Sequence, residues 1–378
     1  MSKAEEHPLP SVLRTELPLW VGAVTTVLFT AFGGRWLADL SNPFWYSLLF
    51  FWLFAVMLWL SFGVVRHADA LAIMLGEPYG TIVLTLSVIS IEVVMISAVM
   101  LTGEGNPTLA RDTLFSVLMI VLNGMLGVTL LLGGLRHGEQ SYNLRGAGTY
   151  LGVLIPLAGL SLILPRYMPA APGGQVTPLV AVWLIVVSIG LYGAFLWIQA
   201  LRHRVYFEQP QPHDGAEEVC TDQHGNLLVR SLGHHALLLA LTMLPIVLLS
   251  KKLALLMDHG IATLGGPSAL GGFFVAVLVL SPEGIAAIKS ALDNRLQRTV
   301  NIALGSALST IGLTVPAVLG IGMVTGLTVE LGLDEADLYL LLLTLLVTIV
   351  NFNSERTNVL HGVVHLTLFF TYVVLIFD

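Results

Sequence analysis

Two acidic residues lie inside long apolar stretches of the sequence. Glu92 is the only ionisable residue between positions 79 and 102, and Glu283 is the only acid between positions 260 and 292. A carboxylate at the centre of a bilayer is costly unless it is paired, solvated or protonated. No Lys or Arg stands near either acid at a similar depth, so a bound cation or a proton is the expected counter-charge. A protonated acid hydrogen-bonded to a neighbouring helix is the alternative interpretation.

Pro282 directly precedes Glu283 and affects the backbone of the same segment. Proline lacks an N–H and clashes with the carbonyl four residues earlier, here that of Leu278. We therefore predict a helix break at Pro282, with backbone oxygens freed around Leu278 and Val279. Hard cations such as Ca²⁺ take about six to eight oxygen ligands from carboxylates, carbonyls and water. Because proline kinks are common in membrane helices, a simple bend is the alternative.

Other polar side chains around the two acids are candidates to line the site or bind a cation. On an unbroken helix, Thr81 and Thr85 share a face with Glu92. Each candidate is equally expected as a polar contact between packed helices. The further candidates are Ser87, Ser90, Asn123, Ser281, Ser306, Ser309 and Thr310.

A histidine pair lies in the last apolar segment. His361 and His365 have the i, i+4 spacing found in zinc sites. The segment lacks the glutamate of a metalloprotease helix and a third ligand, so zinc is not favoured. We predict that the pair handles protons or serves packing, and that the metal-binding residues are Glu92 and Glu283.

The composition places the chain in a lipid bilayer. Hydrophobic residues make up 56% of its 378 residues and charged residues 11%, whereas a soluble domain has about 25% charged residues. The net charge of -7 without a basic block argues against nucleic acid as a partner. Cys220 is the single cysteine, which excludes an internal disulfide. The sequence has no G-x-S-x-G elbow and no phosphate-binding loop, so we predict a transporter without a cofactor rather than an enzyme.

Membrane spans need roughly 20 apolar residues each, and eleven segments qualify. They predict an all-α polytopic membrane protein. The segments are 17–38, 43–65, 79–101, 113–135, 149–168, 176–201, 235–256, 270–290, 299–325, 337–353 and 357–377.

The distribution of Lys and Arg predicts the orientation of these spans. With the N-terminus inside, 12 of the 17 basic residues lie on the cytoplasmic side. This predicts a cytoplasmic N-terminus at 1–16 and an external C-terminus. The acidic segment 206–234 is then a cytoplasmic loop, either a flexible linker or a regulatory element. The N-terminus lacks the pattern of a cleaved signal peptide, so we expect the first span to be retained.

The two halves of the chain contain similar motifs. The Ser-x-Glu triplet at 90–92 matches that at 281–283, and Gly127-Val-Thr129 matches Gly312-Leu-Thr314. Without the extra first span at 17–38, five spans precede the acidic loop and five follow it. Because five is odd, the two repeats face opposite ways, as in many secondary transporters. The predicted repeats are 43–205 and 235–378.

Several motifs together resemble a known family. The chain is similar to the bacterial sodium–calcium/proton antiporter of the calcium/cation antiporter superfamily, in its cation/proton exchanger branch. The resemblance runs from about Val64 to the C-terminus. The motifs are Gly76-Glu77-Pro78-Tyr79-Gly80, the Glu92 segment, Arg111-Asp112-Thr113, Leu280-Ser281-Pro282-Glu283-Gly284 and Arg356-Thr357-Asn358-Val359-Leu360.

The resemblance implies an eleven-span fold with an extra first helix and two inverted five-helix repeats. It also implies export of a cytoplasmic cation driven by inward proton flow across the cell inner (plasma) membrane, with Glu92 and Glu283 as the central glutamates. This chain lacks the family's Gly-Asn-x-x-Glu pattern before each glutamate and has His361 where related exchangers have a glutamate. Ca²⁺ is the first expectation, and Na⁺ and K⁺ stay open. A channel or uniporter without proton coupling is the alternative, and a homo-oligomer is compatible with the sequence.

Overall fold

The computed structural model describes residues 15–76, 79–100, 107–210 and 230–378. Within them the chain is almost entirely helical, and a helix lies at each of the eleven predicted spans. The helices are α1 (Leu17–Ala31), α2 (Pro43–Leu75), α3 (Tyr79–Met100), α4 (Leu109–His137), α5 (Leu144–Tyr167), α6 (Pro178–Arg202), α7 (Leu232–Leu264), α8 (Ala269–Leu292), α9 (Leu296–Thr325), α10 (Glu335–Asn351) and α11 (Val359–Ile376).

Small elements complete the described part of the chain. A short helix, Gly33–Trp36, follows α1, and one-turn helices occur at Pro172–Gly174 and Arg204–Phe207. Two short strands, β1 (Gln140–Ser141) and β2 (Arg356–Thr357), pair antiparallel between the ends of α4 and α11.

Eight of the described helices are long and apolar enough to cross a membrane, namely α2, α4 to α9, and α11. The helix α1 and the Ile82–Ala98 part of α3 are shorter apolar helices, and α10 has 17 residues. The prediction of an all-α polytopic membrane protein is confirmed. The predicted seventh span, 235–256, was too short at both ends, because α7 extends from Leu232 to Leu264. Lys251 and Lys252 lie inside the helix, and their long side chains can carry the charge out to the interface.

The helices α2 and α7 have the same length and the same pattern of buried positions. Each has 33 residues, and when Pro43 is aligned with Leu232, ten of the twelve buried residues of α2 fall on buried residues of α7. Both helices end at a glycine with a φ of +64°, a conformation that favours glycine. The equivalent pairs include Ser61 and Ser250, Asp69 and Asp258, and Gly76 and Gly265.

Helix packing follows the same symmetry. The helices α2, α3 and α4 pack against their equivalents α7, α8 and α9, and α4 packs against α8 and α11 as α9 packs against α3 and α6. Gly127 of α4 lies directly against Leu366 of α11, and Gly312 of α9 lies against Tyr192 of α6. The two matched glycines of the sequence therefore make equivalent helix contacts. With five helices in each half, the halves are inverted relative to each other.

The extra helix α1 packs against α2 and α7. Its first residues are tied to α2, because Glu16 forms an ion pair with Arg66 and its Oε2 lies 3.1 Å from Nε2 of His67. The predicted cytoplasmic N-terminus (1–16) and acidic loop (206–234) fall mostly outside the described residues, as do Glu77, Pro78 and Cys220. The limits of the domains stay predictions.

Candidate cation site

Glu92 lies near the middle of α3 and is 2% exposed. Its Oε2 accepts a hydrogen bond of 2.9 Å from the Thr310 hydroxyl of α9. Its Oε1 is buried and has no hydrogen-bond partner among the described residues. The hydroxyl of Thr314, one turn further along α9, lies beside this carboxylate but outside hydrogen-bonding geometry. One of the two oxygens of the Glu92 carboxylate is therefore free to accept a bond.

Glu283 occupies the equivalent position on α8 and is partly buried. Its Oε2 is also buried without a hydrogen-bond partner in the described part of the chain. The Ser306 side chain of α9 lies beside this carboxylate. The two glutamates are close enough for their charges to repel each other. Such a pair is stabilised by a proton or a cation between the helices, since a second bare charge is unfavourable there.

The helix α9 presents hydroxyls to both glutamates. Ser306, Thr310 and Thr314 follow each other at a spacing of four residues, with Ser306 beside Glu283 and the two threonines beside Glu92. The stretch Thr310–Thr314 is a π-helix, as is Ile120–Met125 of the equivalent helix α4. Local π-helical turns often occur at functional sites. A hydroxyl can donate to a carboxylate or offer a lone pair to a cation, so this row suits both states.

The other predicted serines lie on the same helices but use their protons locally. Ser87 and Ser90 donate to the carbonyls of Val83 and Leu86, at 2.7 and 2.6 Å. Ser281 donates in the same way to Val277, and Ser309 donates to Ser306 at 3.0 Å. Thr85 lies beside Tyr192 of α6, and the side chain of Thr81 lies outside the described part. Their predicted role as cation ligands stays a prediction.

The predicted helix break at Pro282 is corrected by the structure. The helix α8 is continuous from Ala269 to Leu292, and Pro282 lies inside it. Proline removes one backbone hydrogen bond, which leaves the Leu278 carbonyl free. The Ser61 hydroxyl of α2 donates to the Leu58 carbonyl of its own helix at 2.7 Å and lies 3.4 Å from the Leu278 carbonyl. The neighbouring helix therefore offers the Leu278 carbonyl a long polar contact in place of the lost bond. Leu278 and Val279 are both buried in the core around α8.

Asn123 belongs to a polar cluster on the other side of α4. Its Nδ2 donates to the Thr344 hydroxyl at 2.8 Å, and its Oδ1 lies 3.2 Å from Nδ1 of His365. His365 is completely buried, and its Nε2 has no partner among the described residues. One turn earlier, His361 borders a cavity of about 510 Å³ that is also lined by Glu139, Ser354, Glu355, Arg356 and Asn358. His361 therefore lies at the cavity near the β1–β2 pair, and His365 lies against Asn123 in the π-helical segment of α4.

The sequence did not indicate three residues that the fold brings to this region, namely Thr314, Ser61 and Asp69. The charges of Asp69 and Glu283 are close enough to interact. Asp69 and Asp258 lie at equivalent positions of α2 and α7, beyond the ends of the predicted second and seventh spans. In the described part of the chain, no group of three or more His, Cys, Asp and Glu side chains is arranged to hold a metal ion. The site therefore offers two carboxylates and hydroxyls rather than a preformed multi-acid cage.

A polytopic helical fold with inverted halves and paired buried glutamates defines a class of secondary transporter. Comparison with known proteins identifies the family. Residues 45–201 and 234–377 match the family described as sodium/calcium exchanger protein, and the chain belongs to it.

Two relatives each match more than 80% of the chain. It is 40% identical over 319 residues to the sodium-potassium/proton antiporter ChaA of Escherichia coli (strain K12), covering 84% of this chain and 85% of that protein. It is 42% identical over 315 residues to the putative ionic transporter y4hA of Sinorhizobium fredii (strain NBRC 101917 / NGR234), covering 83% and 84%.

The fold is that of a solved exchanger. The structure of native YfkE superposes with a TM-score of 0.72 at 18% identity, covering 95% of this chain and 99% of that one. Another structure of the same protein describes it as a Ca²⁺/H⁺ antiporter. The predicted family is confirmed, and the protein is a multi-pass membrane protein of a cation antiporter family.

Proposed function

We propose that this protein exchanges a cytoplasmic cation for protons at a site built on Glu92 and Glu283. The observation that supports the proposal is the pair of mutually repelling carboxylates, each with one buried oxygen that no described residue satisfies. The proposed location is the cell inner (plasma) membrane, with the N-terminus inside and the C-terminus outside. The proposal needs the lipid bilayer and the transported ions as partners, and no cofactor.

The exchange follows from competition for the two carboxylates. Low dielectric surroundings disfavour a bare charge, so the empty site holds protons. An arriving cation supplies the opposite charge and expels them. Both filled forms are nearly neutral and can cross between inward-facing and outward-facing states. The empty ionised form carries bare negative charge in the bilayer and is held back, which makes the exchange obligatory.

The charge of the site bears on the transported ion. Two ionised carboxylates neutralise one Ca²⁺, whereas one Na⁺ or K⁺ leaves a charge that a remaining proton can cover. We therefore place Ca²⁺ first. Na⁺ and K⁺ are the second candidates, because the Escherichia coli relative is named as a sodium-potassium/proton antiporter.

His361 and His365 are the proposed proton-handling residues. His361 reaches the cavity and His365 contacts Asn123, so the pair offers ring nitrogens at two successive depths along α11. Imidazole can accept and donate protons near neutral pH, which suits it to proton transfer.

The test is ion-driven pH change in proteoliposomes containing a trapped pH indicator. Ca²⁺, Na⁺ and K⁺ are added in turn, and an antiporter should move protons against at least one of them. Glu92→Gln and Glu283→Gln mimic the protonated acid, and each should abolish exchange at matched protein levels. Glu335→Gln, at the exposed start of α10, is the control and should leave exchange unchanged. Conductance without proton counterflow would instead indicate the channel or uniporter.

A further inference from the structure

Asp69 is a charged residue of α2 that the exchange mechanism above does not use. It is partly buried. Its charge interacts with Glu283 of α8 and with Arg298 of α9. Arg298 lies in the first turn of α9, so Asp69 stands between Glu283 and the start of α9.

The contact between Ser61 and Leu278 shows where α2 and α8 lie side by side, so the depths of Asp69 and Glu283 in the membrane can be compared. The helices α2 and α8 run in the same direction, because an even number of helix reversals separates them. Asp69 lies eight residues after Ser61, about 12 Å along the helix, and Glu283 lies five residues after Leu278, about 7.5 Å. Asp69 is therefore about one helical turn beyond Glu283, towards the face where α9 begins.

The opposite face of the membrane has an equivalent acid. Asp258 occupies the position of Asp69 in the register shared by α2 and α7. Because the two halves are inverted, Asp258 lies towards the other end of the helix bundle. Asp258 is exposed whereas Asp69 is partly buried, so the two acids share the register position of their helices but differ in burial.

We propose that Asp69 is a second cation-binding position on the path between Glu283 and the face of Arg298, with Asp258 as its counterpart on the opposite path. This inference rests on the proposed function of Glu283. The unpartnered, buried Oε2 of Glu283 supplies an oxygen that a cation leaving Asp69 can reach next. The Arg298 charge balances Asp69 while no cation is present, and the cation takes over that role on entry. Acids lining a narrow path raise the local concentration of cations.

The test compares the two faces of the membrane. Cation-driven proton movement is measured in everted and right-side-out vesicles as a function of the concentration of Ca²⁺, Na⁺ or K⁺. Asp69→Asn should weaken apparent affinity about tenfold for cation added on the Arg298 face, as expected for removing one nearby charge. Affinity on the opposite face should stay within twofold. Asp69→Glu should restore the affinity, and Asp258→Asn should weaken it on the opposite face only.

Two outcomes would overturn the inference. One is an unchanged affinity in Asp69→Asn on both faces, and the other is an equal loss on both faces that Asp69→Glu does not restore. Failure of the proposed function has a different signature, namely wild-type vesicles that move no protons. In that case, the purified wild type and Asp69→Asn are titrated with each cation by calorimetry. Equal cation affinities of the two proteins would rule out a role for Asp69.

Discussion

The Glu92 carboxylate receives a single hydrogen bond from a described residue, although two oxygens can accept several. The donor is the buried Thr310 hydroxyl, at 2.9 Å. A neutral hydroxyl that donates to a carboxylate stabilises its ionised form. Thr310 therefore sets how readily Glu92 gives up its proton to an arriving cation. The same residue leaves Oε1 open, which is where a cation can add a ligand bond without first breaking an existing one.

Replacing Thr310 with Val should shift the pH dependence of exchange. The change keeps the side-chain shape and removes the donor, so the protonated form of Glu92 gains relative to the ionised form. The lost hydrogen bond is worth roughly 1 kcal/mol, or about fivefold in affinity. The pH of half-maximal cation uptake should rise, and apparent cation affinity at a fixed pH should fall.

The matched control for this variant is Thr129→Val. Thr129 is also a buried threonine, but its hydroxyl donates to carbonyls of its own helix α4, at 2.8 and 3.0 Å. Exchange in vesicles at several pH values should show the shift for position 310 alone. The same pH profile in both variants would contradict the role assigned to Thr310.

Single residues differ in how far the sequence indicates them. Glu92 and Glu283 are visible because an acid is exceptional within an apolar span. Asp69 does not stand out in the sequence, because charged residues are common near the ends of membrane helices. The pairing of Ser61 with the Leu278 carbonyl joins residues 217 positions apart, and only packing between α2 and α8 creates it. The residue pattern of a single helix does not indicate a contact between two helices that are distant in sequence.

At the scale of helices, α8 shows how a proline is accommodated inside a membrane span. The sequence alone predicts the lost hydrogen bond at Pro282 but not its consequence, because the packing of neighbouring helices around the freed carbonyl decides whether the helix breaks. The Ser61 hydroxyl lies 3.4 Å from that carbonyl, and α8 stays continuous. The π-helical segments of α4 and α9 are similar in this respect. Their extra residue per turn depends on packing between helices, which periodicity does not reveal.

Pro282→Ala should lower cation affinity while the protein still inserts. Alanine restores the N–H at position 282, which can bond the Leu278 carbonyl and withdraw it from Ser61. The helix then straightens beside Glu283, and the carboxylate moves relative to Ser306 on α9. Pro245→Ala is the control, because Pro245 also lies inside a helix, α7, and is buried. Equal cation affinity of Pro282→Ala and wild type in binding titrations would show that Pro282 only bends the helix.

At the scale of the whole molecule, the inverted repeat explains why two glutamates meet at one depth. The equivalent helices α3 and α8 pack against each other and bring their central acids together. Sequence comparison of short motifs indicated this repeat, whereas the stronger match lies in the buried faces of α2 and α7. The match between α2 and α7 is hidden in the sequence, because hydrophobic residues dominate both helices and the identity between them is low.

The orientation of the molecule can be tested at Cys220, the only thiol of the chain. Twelve of the 17 basic residues lie on one side of the predicted topology, which places the acidic segment 206–234 in the cytoplasm. A membrane-impermeant maleimide should therefore label Cys220 in everted vesicles and not in intact cells. Cys220→Ser, which cannot react, gives the background. Labelling from outside intact cells would reverse the proposed direction of cation export.

Competition between protons and cation at one site predicts how binding depends on pH across the whole molecule. If one Ca²⁺ displaces a proton from each of Glu92 and Glu283, its apparent dissociation constant should rise on the order of hundredfold per unit of acidification where both acids are protonated. The sign follows because protons favour the empty form. Glu92→Gln or Glu283→Gln leaves one exchangeable proton, so any remaining binding should change only about tenfold per unit. Calorimetric titration of the purified protein in several buffers measures both slopes, and the released protons appear as a buffer-dependent heat. A dissociation constant that is independent of pH would mean that cation and proton occupy separate sites, and the exchange would then need another source of coupling.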